Sequence, residues 1–156
     1  MDSLITRLNR DVNDSLKTIK IRDIDDSMIE AIYETVYDPY APTKKFPYNR
    51  RYEDGGLSDR DNFIMTESPT VGVDSVEVVI RNMTKGNNNY WGSVQDWSGS
   101  RTFEIDRIIV SGKGYSWTNS RFYQVRIPRD FYEATRQKVE EYLRKRIIEE
   151  LKEKGW

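Results

Sequence analysis

Apolar residues recur at every fourth position early in the chain: Leu4, Leu8, Val12 and Leu16, with Ile5 and Ile19 widening the stripe. Residues three and four apart share one face of a helix, so this spacing predicts an amphipathic helix. Asp2 or Ser3 is placed to cap it, because a short oxygen-bearing side chain accepts a free N–H of the first turn. Ser27-Met28-Ile29-Glu30 has the reciprocal spacing of a capping box and predicts a second helix. Its apolar face would be Met28, Ile29, Ile32, Tyr33 and Val36. Pro39 and Pro42 end it, since proline lacks a donor and restricts the residue before it.

Residues 37–62 read as an irregular connection, with a turn at Gly55-Gly56. Residues 63–66 predict a short strand. From Val73 to Met83 the pattern alternates, with Val76, Val78 and Ile80 on one side and Glu77, Val79 and Arg81 on the other; this is the period of a strand. An aromatic, Asn-rich loop then spans about 84–120, and within it Phe103 to Val110 fits a strand or a short helix equally well. Tyr123 to Ile127 predicts a strand. From Pro128 the helical period returns: Val139, Leu143, Ile147 and Leu151 form a stripe, widened by Tyr132, Tyr142 and Ile148. Pro128 suits a first turn, and Asp130 and Glu133 suit the positive end of a helix dipole. Glu140 with Arg144, and Glu141 with Lys145, have the spacing of i,i+4 ion pairs. This order predicts an α+β fold in one domain over 1–156, with N-terminal helices and a long C-terminal helix packed on a small, mostly antiparallel sheet.

Composition narrows the chemistry. The 156 residues include no cysteine and no histidine. Disulfides, thiol nucleophiles and cysteine-bound zinc are excluded, and the commonest general base is missing. With 25 basic and 26 acidic residues the net charge is −1, which does not suggest a whole-surface affinity for nucleic acid. No segment reaches the roughly 20 apolar residues that cross a bilayer. The N-terminus lacks the apolar run of a signal peptide. A soluble protein made in a cytoplasm, without membrane contact, is the expectation.

Gly112-Lys113-Gly114 lacks the frame of a phosphate-binding loop and reads as a loop. Asp23, Asp25 and Asp26, and then Asp59 and Asp61, could offer oxygens to a cation, but no calcium-loop spacing is present. The first cluster reads as a helix cap and the second as a solvated turn. No two carboxylates are spaced to face each other across a sugar. Trp91, Trp97, Tyr115 and Trp117 could form a platform for a carbohydrate or peptide, or pack within the domain or against a neighbouring subunit. No catalytic group, cofactor or metal is predicted.

One run remains, "VYDPYAPTKKFPYNRRYEDGGLSDRDNF", from Val36 to Phe63. Its Tyr37 or Tyr40, Pro42, Tyr48, Arg50, Arg51, Gly55, Gly56, Leu57 and Asp59 resemble a motif of tailed-bacteriophage neck and tail-completion proteins, the head–tail joining family. "IPRDFYEAT", from Ile127 to Thr135, is similar to the stretch that opens that family's C-terminal helix. The match covers about a quarter of the chain, and the long insertion before Phe103 departs from it. The resemblance implies a non-enzymatic virion protein assembled in the bacterial host cytoplasm. It would form a closed ring, six- or twelve-fold, between head-completion or connector proteins and tail-terminator or tail-tube proteins. DNA would pass through without tight binding. Tyr48, Arg50, Arg51, Gly55, Gly56, Leu57 and Asp59, with Trp91, Trp97 and Trp117, are then candidate subunit-interface residues. Gly55-Gly56 would permit a tight turn. Arg50 and Arg51 would pair with a neighbour's carboxylates, or the turn would be held by ion pairs of its own. A carbohydrate- or peptide-binding module using the aromatic loop is the alternative.

Overall fold

Helix α1, Leu4–Ile19, begins where the stripe predicts. The Ser3 side chain caps it by accepting the Thr6 N–H at 3.2 Å. A computed structural model describes residues 3–39, 52–67, 70–71, 76–84, 105–112 and 127–156. The helix does not stop at Ile19. It continues through a π-helical turn, Lys20–Ile24, into α2, Asp25–Ile32, and through a second π-helical turn, Tyr33–Tyr37. Leu4 to Tyr37 is therefore one rod rather than two helices.

The buried positions explain the π turns. Ile19 and Ile24 are five residues apart and both buried, as are Ile32 and Tyr37. In an α-helix five residues would leave the second side chain about 140° off the first. A π turn, with its i→i+5 bond, absorbs the extra residue. The Asp25 N–H donates to Lys20 O, and the Asp38 N–H to Tyr33 O at 2.9 Å. Ser27 is consequently mid-helix, not a cap. Its hydroxyl turns back to Asp23 O at 3.0 Å, a bond that mid-helix serines commonly make.

The strands are shorter than the alternation suggests. β1, Phe63–Met65, pairs antiparallel with β4, Ile80–Asn82, in the register Phe63↔Asn82, Ile64↔Arg81, Met65↔Ile80. β2, Thr70–Val71, pairs antiparallel with β3, Val76–Glu77. The run from Val73 to Met83 is thus two strands, not one. From Met65 to Thr70 the chain advances five residues, but only three from Glu77 to Ile80, so the ladder breaks between the pairs. The segment left open between strand and helix contains a helix, α3, Ile105–Ser111. Of the strand expected at Tyr123 to Ile127, only the exposed Ile127 is among the described residues.

α4, Phe131–Glu153, starts three residues later than Pro128 suggests, because Asp130 is the cap and accepts the Glu133 N–H at 2.9 Å. Glu140 pairs with Arg136 at 3.0 Å instead of Arg144; Lys145 lies 3.9 Å from Glu149, and the side chain of Glu141, its expected partner, lies outside those described. α4 runs antiparallel to the rod: Lys138 meets Glu30 and Glu34, Tyr142 meets Ser27, Arg146 meets Asp23, and Trp156 meets Asp11. Most of its stripe is covered, with Val139, Tyr142, Leu143 and Ile147 against Ile19 and Ile24, but Ile148, expected to widen it, is exposed. A second cluster joins Met28, Ala31, Ile32, Val36 and Tyr37 to Leu57, Phe63, Ile109 and Phe131, and Ile80 touches both. The N-terminal end of the stripe is not covered. Leu4 and Ile5 are 69% and 70% exposed, because α4 has reached its end beside Arg7 and Asp11. The architecture is α+β, mostly helical, with small antiparallel strand pairs on the helices.

Candidate functional site

The glycine turn is built by its own backbone. Gly55 has φ of 70°, a left-handed conformation that glycine adopts without strain. Gly56 is needed for space: a Cβ there would lie 2.2 Å from Tyr52 O and 2.6 Å from Tyr52 N. Tyr52 itself takes φ of 45°, uncommon for a residue with a side chain. Its ring lies parallel to Tyr33 at 6.1 Å and edge-on to Tyr37 at 5.0 Å, which ties the turn to the end of the rod.

Hydrogen bonds fix the rest. The Asp59 carboxylate accepts the Gly55 N–H at 2.7 Å and the Asp61 N–H at 3.0 Å, closing the turn and capping the short 3-10 helix Arg60–Asn62. The Gly56 carbonyl accepts from Asn62 Nδ2 at 3.0 Å, from Thr84 Oγ1 at 2.9 Å and from the Asp59 N–H at 3.3 Å. Asn82 Nδ2 donates to Leu57 O at 2.6 Å, and Asn82 Oδ1 accepts the Thr84 N–H at 3.0 Å. Leu57, Ser58, Asn82 and Thr84 are buried. Arg60 clamps the turn to the first π segment, donating to Ile21 O at 3.4 Å and pairing with Asp26.

Behind the turn lies a buried polar relay. Tyr132 Oη accepts the Asn82 N–H at 2.7 Å and donates to Asp106 Oδ2 at 2.8 Å. Arg81 reaches the same oxygen at 3.4 Å. Burial pushes the Tyr132 phenol well above the usual tyrosine range, and its hydrogen bond to the Asp106 carboxylate raises it further. Burial also raises Tyr37. These groups are held in their neutral form at neutral pH, as structural hydrogen-bonding partners.

Of the candidate interface residues, Gly55, Gly56, Leu57 and Asp59 come together in this turn. Gly56 and Leu57 are buried within the chain, and Asp59 is engaged by backbone N–H groups rather than by an arginine. Tyr48, Arg50, Arg51, Trp91, Trp97 and Trp117 lie outside the described residues, as do Tyr40, Pro42 and Tyr115. The first aspartate cluster is not a helix cap. Asp25 is buried against Lys20 at 2.9 Å, Asp23 faces Arg146 at 3.4 Å, and Asp26 pairs with Arg60.

Asn82, Thr84 and Asp106 were not singled out from the sequence, and Tyr132 was read there only as part of the apolar stripe of α4. The signal for Asn82 was present: it follows Val76, Val78 and Ile80 at the same period of two, and a polar residue at an inward position needs buried partners. An open depression of about 420 Å³ lies over the turn, lined by Ile29, Glu53, Ser58, Asp59 and Arg60. Among the described residues no group of His, Cys, Asp and Glu could hold a metal ion, and no helix is long and apolar enough to cross a membrane. The arrangement presents a rigid turn on the end of a helical rod.

No curated protein and no solved structure matches the chain. One family model does, YomN, over residues 1–154. Almost the whole chain is covered, including the rod, the glycine turn and α4, and the chain therefore belongs to the YomN family, a phage-type family of the Bacillus prophage SPbeta kind.

Proposed function

We propose that this chain is a structural protein of the virion, a ring-forming adaptor at the head–tail junction of a tailed phage that surrounds the DNA path. The observation that carries the reading is membership of a phage-type family over residues 1–154, in a chain whose Arg-Arg and Gly-Gly-Leu-x-Asp run resembles that of head–tail joining proteins. The geometry of the turn supports it. A loop tied to the rod by Tyr52 and Arg60, to β4 by Asn82 and to the residue pair beyond it by Thr84, loses little entropy on docking. It would carry Arg50 and Arg51, directly before Tyr52, toward a neighbour. The net charge of −1 suits a conduit through which DNA slides, since tight duplex binding draws on many phosphate contacts. The neighbours would be head-completion or connector proteins on one face and tail-terminator or tail-tube proteins on the other, and the ring six- or twelve-fold. The protein would act without a cofactor and without turnover.

Electron microscopy of necks from intact particles tests this directly, with antibody labelling of the chain. A closed ring at the neck is expected. Charge reversal of Arg50 and Arg51 should leave circular dichroism unchanged and lower incorporation into particles. Absence from the neck, or duplex binding that is tight and steeply salt-dependent, would overturn the reading.

A further inference from the structure

Tyr52 stands where glycine would be free of strain. Its φ of 45° lies in the left-handed region, which a bulky residue enters only at a cost. The same turn uses glycine at Gly55 and Gly56, yet it keeps a tyrosine here. Strain of this kind persists where the surroundings impose it, and it gathers at functional positions. The surroundings are two rings of the rod and one glycine. Tyr33 stacks on Tyr52 at 6.1 Å, Tyr37 meets it edge-on at 5.0 Å, and Tyr33 and Tyr37 meet edge-on at 5.1 Å. Gly56 leaves room for its own backbone to pass against Tyr52 N and O.

What the rings join gives the cluster its meaning. Tyr37 ends the second π-helical turn, where the chain leaves the rod. Tyr52 opens the glycine turn, where the chain returns to it. The chain is therefore held at one point at both ends of the 38–51 connection. Tyr37 is buried, but Tyr52 is 40% exposed, so burial alone does not account for a strained tyrosine. Arg50 and Arg51 directly precede it in sequence. Fixing Tyr52 fixes the point from which they depart, and it removes freedom that a neighbour would otherwise have to remove on docking.

We propose that Tyr52 is a positioning residue: its ring, held by Tyr33 and Tyr37, clasps both ends of the 38–51 connection and sets where Arg50 and Arg51 leave the turn. The ring acts, not the hydroxyl. Arg60, Asn82 and Thr84 lock the turn beyond Gly55, whereas the clasp governs the arginine side of it. The inference rests on the reading of those arginines as contacts to a neighbour.

Two substitutions separate the ring from the backbone. Tyr52→Phe keeps the ring. Tyr52→Asn accepts a left-handed φ but has no ring to stack. The chain has no cysteine, so spin labels on Asp38→Cys and Glu53→Cys, both exposed positions, report the distance across the clasp by electron paramagnetic resonance. Wild type and Tyr52→Phe should give one narrow distance, and Tyr52→Asn a broader and longer one, with circular dichroism unchanged. In particles assembled with each unlabelled variant, Tyr52→Phe should be incorporated like wild type and Tyr52→Asn roughly tenfold less. If Tyr52→Asn does not fold, Tyr33→Leu gives the same two readings, because it removes the stacked partner and leaves the backbone of the turn untouched. A distance that stays narrow without the stack would overturn the clasp. A broadened distance with normal incorporation would overturn the positioning role and leave the ring reading standing. A wild-type chain absent from the neck would overturn both.

Discussion

The hydroxyl of Tyr132 joins three elements at one atom: it accepts the backbone N–H of Asn82 on β4 at 2.7 Å and, from α4, donates to Asp106 on α3 at 2.8 Å. Removing it leaves the buried Asn82 N–H without a partner and Asp106 Oδ2 with only the longer Arg81 contact at 3.4 Å. Tyr132→Phe should therefore destabilise by about 1–3 kcal/mol, the range for a lost buried hydrogen bond that orphans a partner. A urea titration checks this. A midpoint shift no larger than that of an exposed control such as Tyr52→Phe would show that water replaces the hydroxyl freely.

The same phenol governs alkaline stability. Its folded pKa lies above its unfolded value because it is buried and donates to a carboxylate. Stability from such a group is fully present below the unfolded value, near 10, and is lost as pH rises through it toward the folded value. Burial shifts Tyr37 and Tyr142 in the same direction. Wild-type stability should fall steeply above about pH 10, and Tyr132→Phe should fall less steeply. Thermal midpoints from pH 8 to 11 measure the slopes; parallel curves would refute the assignment.

At the turn, the two glycines have different jobs. Gly55 needs a left-handed φ, whereas Gly56 needs the absence of a Cβ against the Tyr52 backbone. Gly155 is a useful control, with φ of 82° and nothing within 4 Å of where a methyl would sit. Gly155→Ala should cost only the left-handed penalty, about 1–2 kcal/mol. Gly56→Ala should cost more than that, because backbone atoms rather than a flexible side chain must shift. Comparable losses in the two variants would mean that the turn opens easily.

The long helical elements were legible because their periodicity is strong: Leu4 through Ile19 and Val139 through Leu151 each mark one face over several turns. The joint between α1 and α2 was not. Ser27-x-x-Glu30 matches a cap by composition, but the deciding fact is tertiary: Ile19 and Ile24 must both face α4. The five-residue step was visible, yet only a partner helix makes it matter. In the site, Gly55, Gly56 and Asp59 were readable as a turn. Their lock was not, since Asn82, Thr84, Tyr132 and Asp106 are distant in sequence and converge only through the β1–β4 register and the packing of α3 and α4.

If the π turn at Lys20–Ile24 exists to absorb one residue, deleting one residue there should be tolerated. Removing Arg22 brings Ile19 and Ile24 to a spacing of four, which an ordinary α-helix places on one face. Its ion pair with Glu150, at 3.2 Å with Arg22 half exposed, is a small loss. Removing Asp14 instead rotates everything before it by about 100°, taking Val12 off the core and Asp11 away from Trp156. The Asp14 deletion should therefore lower the thermal midpoint more than the Arg22 deletion. The reverse order would sink this account of the π turn.

Lys20 and Asp25 span that same turn, with Nζ 2.9 Å from Oδ2 and both groups largely withdrawn from water. Burial raises the Asp25 carboxyl, and Lys20 opposes the shift. A raised carboxyl supports folding below its unfolded value and loses that support as pH rises through the folded one, so ionised Asp25 is a net demand on the fold at neutral pH, and Lys20 lessens it. Lys20→Met should thus cost about 3–5 kcal/mol near pH 7, the usual loss when one member of a buried pair is stranded. The gap to wild type should narrow on acidification, as Asp25 takes up a proton and becomes neutral. Adding Asp25→Leu should recover much of the loss at pH 7, because a buried pair can be replaced by apolar residues of similar volume with little change. Denaturation of the wild type and both variants at pH 7 and pH 5 provides the check. A gap that is constant with pH, or a double variant as unstable as Lys20→Met, would show that Lys20 acts through its methylene packing rather than its charge.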